Sequence, residues 1–146
     1  MGADALVLEG PARPGSFIAE LGRRAAVLGD ESGDLEVWAW PLKLVSGLHL
    51  SFRIPDYDDP IPGEQVARRV LVRPEMQTIV YSHATFTVRE HILVPLDEPG
   101  ALILLDVETV RPLEILVQMQ ADFDLAWPGG FGGHRAGYRP GPGRSV

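Results

Sequence analysis

Apolar and polar positions alternate along most of this chain with a period of two, the pattern of strands with one buried face. Leu35, Val37 and Ala39 fall on one side of a segment whose other side carries Glu36, Trp38 and Trp40. From Thr85 to Val94 one row reads Phe86, Val88, Glu90, Ile92 and Val94, and the facing row reads Thr85, Thr87, Arg89, His91 and Leu93. Leu113, Ile115, Val117, Met119, Ala121 and Phe123 repeat this alternation opposite Glu114, Gln118, Gln120 and Asp122. Val66 to Val72, Gln77 to Ser82 and Ala101 to Val110 also read as strands. Leu42 to Ile54 predicts one long strand, bent where Ser46-Gly47 interrupts it, because a glycine inside such a pattern marks a bulge.

The connections decide how these strands pair. A short ordered segment from Phe17 to Leu21 precedes the apolar run Arg24 to Leu28, and the turn formers from Gly29 to Asp34 then predict a hairpin. Later links such as Arg73-Pro74-Glu75, His83-Ala84 and Arg111-Pro112 are too short for crossovers, so the strands are antiparallel. Pro55 to Gly63 holds three prolines and three aspartates and is expected to be a surface loop. About eight strands then imply an all-β antiparallel sandwich, since a single sheet would leave an apolar face in water. Residues 1–15 read as an irregular N-terminal segment, 16–127 as the sandwich, and 128–146 as a mobile tail rich in glycine, proline and arginine.

Composition narrows the function classes. The 146 residues fit one domain, and thirteen prolines with sixteen glycines argue against a helical one. A formal charge of −7 gives no general attraction to phosphates or anionic lipid, so neither nucleic acid nor membrane is an expected partner. No apolar run nears the ~18 residues that cross a bilayer. Met1 to Ala5 carries no signal-peptide pattern, which predicts a cytoplasmic chain if expressed as written and leaves the compartment otherwise open. The chain has no cysteine, so a disulfide framework and a thiol nucleophile are both excluded.

Few residues suggest chemistry. The four histidines, His49, His83, His91 and His134, lack the close spacing of metal ligands, and no metal or other cofactor is expected. Asp56, Asp58 and Asp59 depart from a calcium loop and read as a solvated turn. Glu36, Glu90 and Glu114 lie on strand faces rather than in one cluster, so no carboxyl pair for glycoside hydrolysis is predicted and no catalytic residue is assigned. Trp38, Trp40, Tyr57 and Trp127 are the candidate binding residues. Their rings fit either stacking on a sugar face or covering an interface.

The run Phe17 to Gly33, with Glu36-Val37-Trp38-Ala39-Trp40-Pro41-Leu42-Lys43-Leu44 and later Ala121 to Gly130, resembles the N-terminal part of bacterial six-hairpin glycoside hydrolases of the glycogen-debranching and glucoamylase-like group. That resemblance covers about Ser16 to Gly133. It implies a supersandwich-like domain placed before an (α/α)6 barrel that carries the catalytic carboxylates. On this reading the chain is a non-catalytic domain acting with the absent barrel on α-glucan-type carbohydrate. An independent carbohydrate-binding module and a self-associating sandwich are the alternatives.

Overall fold

A computed structural model of the chain describes residues 6–125. Two antiparallel sheets pack face to face, an all-β sandwich as the alternation predicts. In chain order the elements are β1 (Leu8–Pro11), β2 (Phe17–Leu21), β3 (Ala25–Asp30), β4 (Leu35–Ala39), β5 (Leu42–Arg53) and β6 (Ile61–Pro62). There follow α1 (Gly63–Val66), β7 (Ala67–Arg73), β8 (Met76–Ser82), β9 (Phe86–Leu93), β10 (Leu102–Thr109) and β11 (Glu114–Leu125). The first sheet runs β1-β7-β8-β9-β10 and the second β11-β5-β4-β3-β2, with β6 paired to β5 beyond the point where β4 ends. The tail, and Trp127 with it, lies outside the described residues.

The inward rows are the ones the alternation assigns. Phe86, Val88, Glu90 and Ile92 of β9 are all buried, and their neighbours Thr87, Arg89 and His91 are half-buried. Phe52 of β5 crosses the gap between the sheets and meets Tyr81 of β8 and Phe86 of β9, with ring centroids 5.3 and 4.9 Å apart. Both contacts are tilted, the arrangement that relieves repulsion between ring faces. Ile79, Val27 and Leu35 complete the fully covered centre.

Three differences from the sequence reading have local causes. The N-terminal segment read as irregular contains β1, because Leu8 to Pro11 finds a free edge on β7 and the short ladder satisfies its backbone. Pro55 to Pro60 is a loop as expected, but Ile61 is buried and forms β6, and Gly63–Val66 is one helical turn that takes Val66 out of the expected strand. β5 does bend at Ser46-Gly47. Its pairing with both β4 and β11 shifts register there, and Gly47 sits at φ +57.

Two glycines show how tightly the fold constrains its turns. Gly33 closes the β3–β4 turn at φ +93, and a Cβ there would run into Tyr81 Oη. Gly47 also has positive φ, but a Cβ would meet nothing within 4 Å. Gly33→Ala therefore combines backbone strain with displacement of a buried ring and should cost about 2–4 kcal/mol. Gly47→Ala should cost only about 1 kcal/mol. Urea midpoints of the two variants against the parent check the ranking; equal losses would contradict it.

Candidate functional site

The tryptophan hairpin forms the first candidate surface. The turn at Trp40-Pro41, whose peptide bond is cis, sets Ala39 opposite Leu42 and Trp38 opposite Lys43. Because side chains two apart share a face, Trp38 and Trp40 lie together with ring centroids 5.5 Å apart and planes tilted by 33°. Glu36 holds this patch from below. Its carboxylate accepts the Trp38 Nε1 proton at 3.0 Å and pairs with Lys43 Nζ at 3.4 Å. The same ammonium sits 5.1 Å from the centroid of the Trp38 ring, so Trp38 is fixed from two directions and Trp40, 46% exposed, is the more open ring.

Of the three described aromatic candidates, Tyr57 does not join the two tryptophans. Tyr57 lies past the far end of β5, on the order of 30 Å from the tryptophans at the rise of a 12-residue strand. There its ring meets His83 edge-on at 5.8 Å, and His83 in turn stacks on Phe86 at 5.3 Å. Trp127 is outside the described residues. Lys43 and Glu36 were not singled out as patch members, yet the register of a tight Trp40-Pro41 turn places Lys43 across from Trp38.

The second candidate surface is a cleft of about 290 Å³ between the sheets, opening between β10 and β11. Ile103 and Leu105 line it from one sheet, Val37, Val45, Leu48 and Leu50 from the other, and Val117 and Met119 form the rim on β11. Val117 is 50% and Met119 59% exposed, although the alternation puts both on the inward row. Here the expected half-buried strand faces an uncovered gap.

Among the described residues, Glu90 is the single titratable one lining this cleft. It is 1% exposed, and its Oε2 accepts the Tyr81 hydroxyl proton at 2.6 Å. Among the described residues no lysine or arginine bridges it. Burial pushes its carboxyl up to about 7, with the Tyr81 hydrogen bond pulling the other way. Burial, followed by the charge of Glu90 and its hydrogen bond, raises Tyr81 well above the ordinary phenol range.

An acid titrating near neutrality in a cleft is the kind of group that transfers protons. Among the described residues no second carboxyl lines the cleft, so these residues do not assemble the two-carboxyl arrangement of glycoside hydrolysis around Glu90. A separate polar depression of about 360 Å³ holds Asp34, His49, Glu64 and Gln118 but no tryptophan, tyrosine or phenylalanine to stack on a sugar. Among the described residues no three histidine, aspartate or glutamate side chains gather as a metal site. Asp56 of the acidic loop is paired instead with Arg111. Comparison with protein-family models, with curated proteins and with solved structures returns no match.

The raised carboxyl has a consequence for stability. Folded chain holds the Glu90 proton more tightly than unfolded chain, whose carboxyl titrates near 4.5. Stability from this group is therefore greatest below 4.5 and declines as pH climbs through about 7. The decline is on the order of 3 kcal/mol. Glu90→Gln keeps an acceptor for Tyr81 and removes the charge, so it should flatten this slope and raise the urea midpoint at pH 8 more than at pH 5. A variant whose midpoint tracks the parent at both pH values would contradict the assignment.

Proposed function

We propose that this chain is a non-catalytic β-sandwich that docks on a neighbouring protein domain, and specifically the N-terminal sandwich of a six-hairpin glycoside hydrolase acting on α-glucan. Its role there is to pack on the (α/α)6 barrel and shape the substrate cleft, and the barrel supplies the carboxylates. The observation that carries the docking role is the uncovered aliphatic edge. Leu105, Val107, Val117 and Met119, on the inward rows of β10 and β11, are each more than a third exposed. A contiguous apolar patch of this kind marks an interaction site on a soluble domain. The parent class rests on the resemblance of the Phe17–Gly33, Glu36–Leu44 and Ala121–Gly130 runs.

The Trp38–Trp40 pair supports a second reading, a carbohydrate-binding module. Two rings held 5.5 Å apart, one of them 46% exposed, offer a surface on which a pyranose face can stack. The tilt of 33° and the lysine over Trp38 favour an interface anchor instead, because a continuous sugar platform needs open and nearly coplanar rings.

Three measurements separate these readings. The chain alone should bind Nile red with a fluorescence gain that Met119→Lys reduces, and absence of any gain overturns the docking role. Calorimetry with maltoheptaose and glycogen should be silent, whereas saturable heat lost in Trp40→Ala establishes the carbohydrate module. Incubation with the same glucans should release no reducing sugar; release proportional to chain concentration and abolished by Glu90→Gln defeats the non-catalytic reading.

A further inference from the structure

We infer that the open edge is a receptor for an extended protein segment, which adds a strand to β10 and lays alternate aliphatic side chains into the cleft. This rests on the reading of the edge as a docking surface and names the form of its occupant.

Among the described residues, β10 and β11 are the last strands of their sheets at the same end of the sandwich, each paired on one side only. The free side of such a strand presents unpaired N–H and C=O groups, a template for another strand. Natural edges are usually guarded by lysine, proline, an inward charge or a bulge. β11 is guarded, for its pairing breaks at Gln118/Gln120 and again at Ala121/Asp124, and Phe123 has φ 56. β1 at the opposite edge is four residues long and ends in Pro11, and β2 turns the buried Glu20 inward. β10 has none of these devices. Its register with β9 runs unbroken from Leu102↔Leu93 to Thr109↔Phe86, and it contains neither lysine nor proline.

The side chains state what the added strand must look like. Leu105 and Val107 share the inward row with Glu90 and Val88, to which they are paired, and remain 36% and 42% exposed. An arriving strand therefore places aliphatic residues at alternate positions to cover them. Its other row meets acid. On that outer face β10 presents Asp106 and Glu108, two acids that share the single guanidinium of Arg89 on β9. The segment is thus aliphatic on one face and basic or neutral on the other.

The same charges disfavour a second copy as occupant, since edge-to-edge pairing of two β10 strands brings Asp106 and Glu108 against their own kind in a chain of net charge −7. A helix of the proposed barrel laid directly over the edge would bury the free amides of β10 without partners, so the occupant is an extended segment of the neighbouring domain rather than one of its helices. The sequence after Leu125 is broken by Pro128, Pro140 and Pro142 and offers no aliphatic alternation, so it does not fit either.

The test uses the whole chain and a synthetic heptapeptide, acetyl-Lys-Val-Thr-Ile-Lys-Val-Thr-amide, with amide hydrogen exchange as the readout. Saturating peptide should slow exchange within Leu102–Thr109 about tenfold and leave β2 unchanged. Replacing the peptide's two threonines by proline, or its lysines by glutamate, should weaken binding by about tenfold or more. Leu105→Lys, checked for native circular dichroism, should do the same by restoring an inward charge. Absence of protection in β10, or equal binding by the proline peptide, overturns strand addition. A Nile red signal that persists in that case leaves the docking role standing. A mass in light scattering that doubles with concentration, with β10 protected in the absence of peptide, overturns the inference in favour of a second copy.

Discussion

Phe52, Tyr81 and Phe86 form the one contact on which both sheets depend, because it is where the largest side chains of β5, β8 and β9 fill the space between them. Tyr81 carries a hydroxyl into that space, and a buried hydroxyl without a partner is costly. Glu90 supplies the acceptor from the neighbouring strand. The ring also dictates what stands around it. Added Cβ atoms at Gly33 and Gly63 would collide with it or press on it, so the β3–β4 turn and the start of α1 are both shaped to the same phenol. A carboxyl that is expensive to ionise is thus part of the core's construction, and its elevated titration follows from the ring it serves.

The packing is uneven from one end of the sandwich to the other. Around the aromatic centre the inward rows of β3, β8 and β9 are closed, and Arg13 ties the N-terminal segment to Glu31 at the β3–β4 turn through a backbone bond of 2.7 Å. Towards β10 and β11 the sheets leave a cleft of about 290 Å³ between them, and the aliphatic side chains at its rim stay half exposed. Hydrophobic burial stabilises roughly in proportion to area removed from water, so this end contributes far less to folding than its composition suggests. The asymmetry also separates the two candidate surfaces. The tryptophan patch is held by its own salt bridge and hydrogen bond, whereas Val117 and Met119 at the cleft are half exposed.

Alternation made the strands, their antiparallel pairing and the inward row of β9 legible, because a period of two follows directly from strand geometry. The bend in β5 was legible for the same reason, since Ser46-Gly47 interrupts that period. Alternation cannot report whether a layer exists opposite an apolar row. Val117 and Met119 therefore read like Val88 and Ile92, although the first two are half exposed and the last two are covered. Short elements escaped too: β1, β6 and α1 are set by the edges and grooves they meet rather than by any pattern of their own. The candidate site was legible only in part. Neighbouring Trp38 and Trp40 followed from spacing, but the separation of Tyr57 depends on the length of β5 and the path after it.

Glu90 shows why residue type alone misleads about function. On the sequence it is one acid among inward aliphatic residues, and in the fold it is a near-neutral carboxyl at a cleft, the profile of a general acid. Proton transfer to a glycosidic oxygen also needs a second carboxylate across the bond and polar groups to hold the sugar. The walls around Glu90 are valine, leucine, isoleucine and methionine, and its hydrogen bond is committed to a core tyrosine. Such walls repel a sugar's hydroxyls and welcome aliphatic side chains. The chemistry of the lining therefore decides against a sugar and suits aliphatic side chains, the premise of the docking proposal.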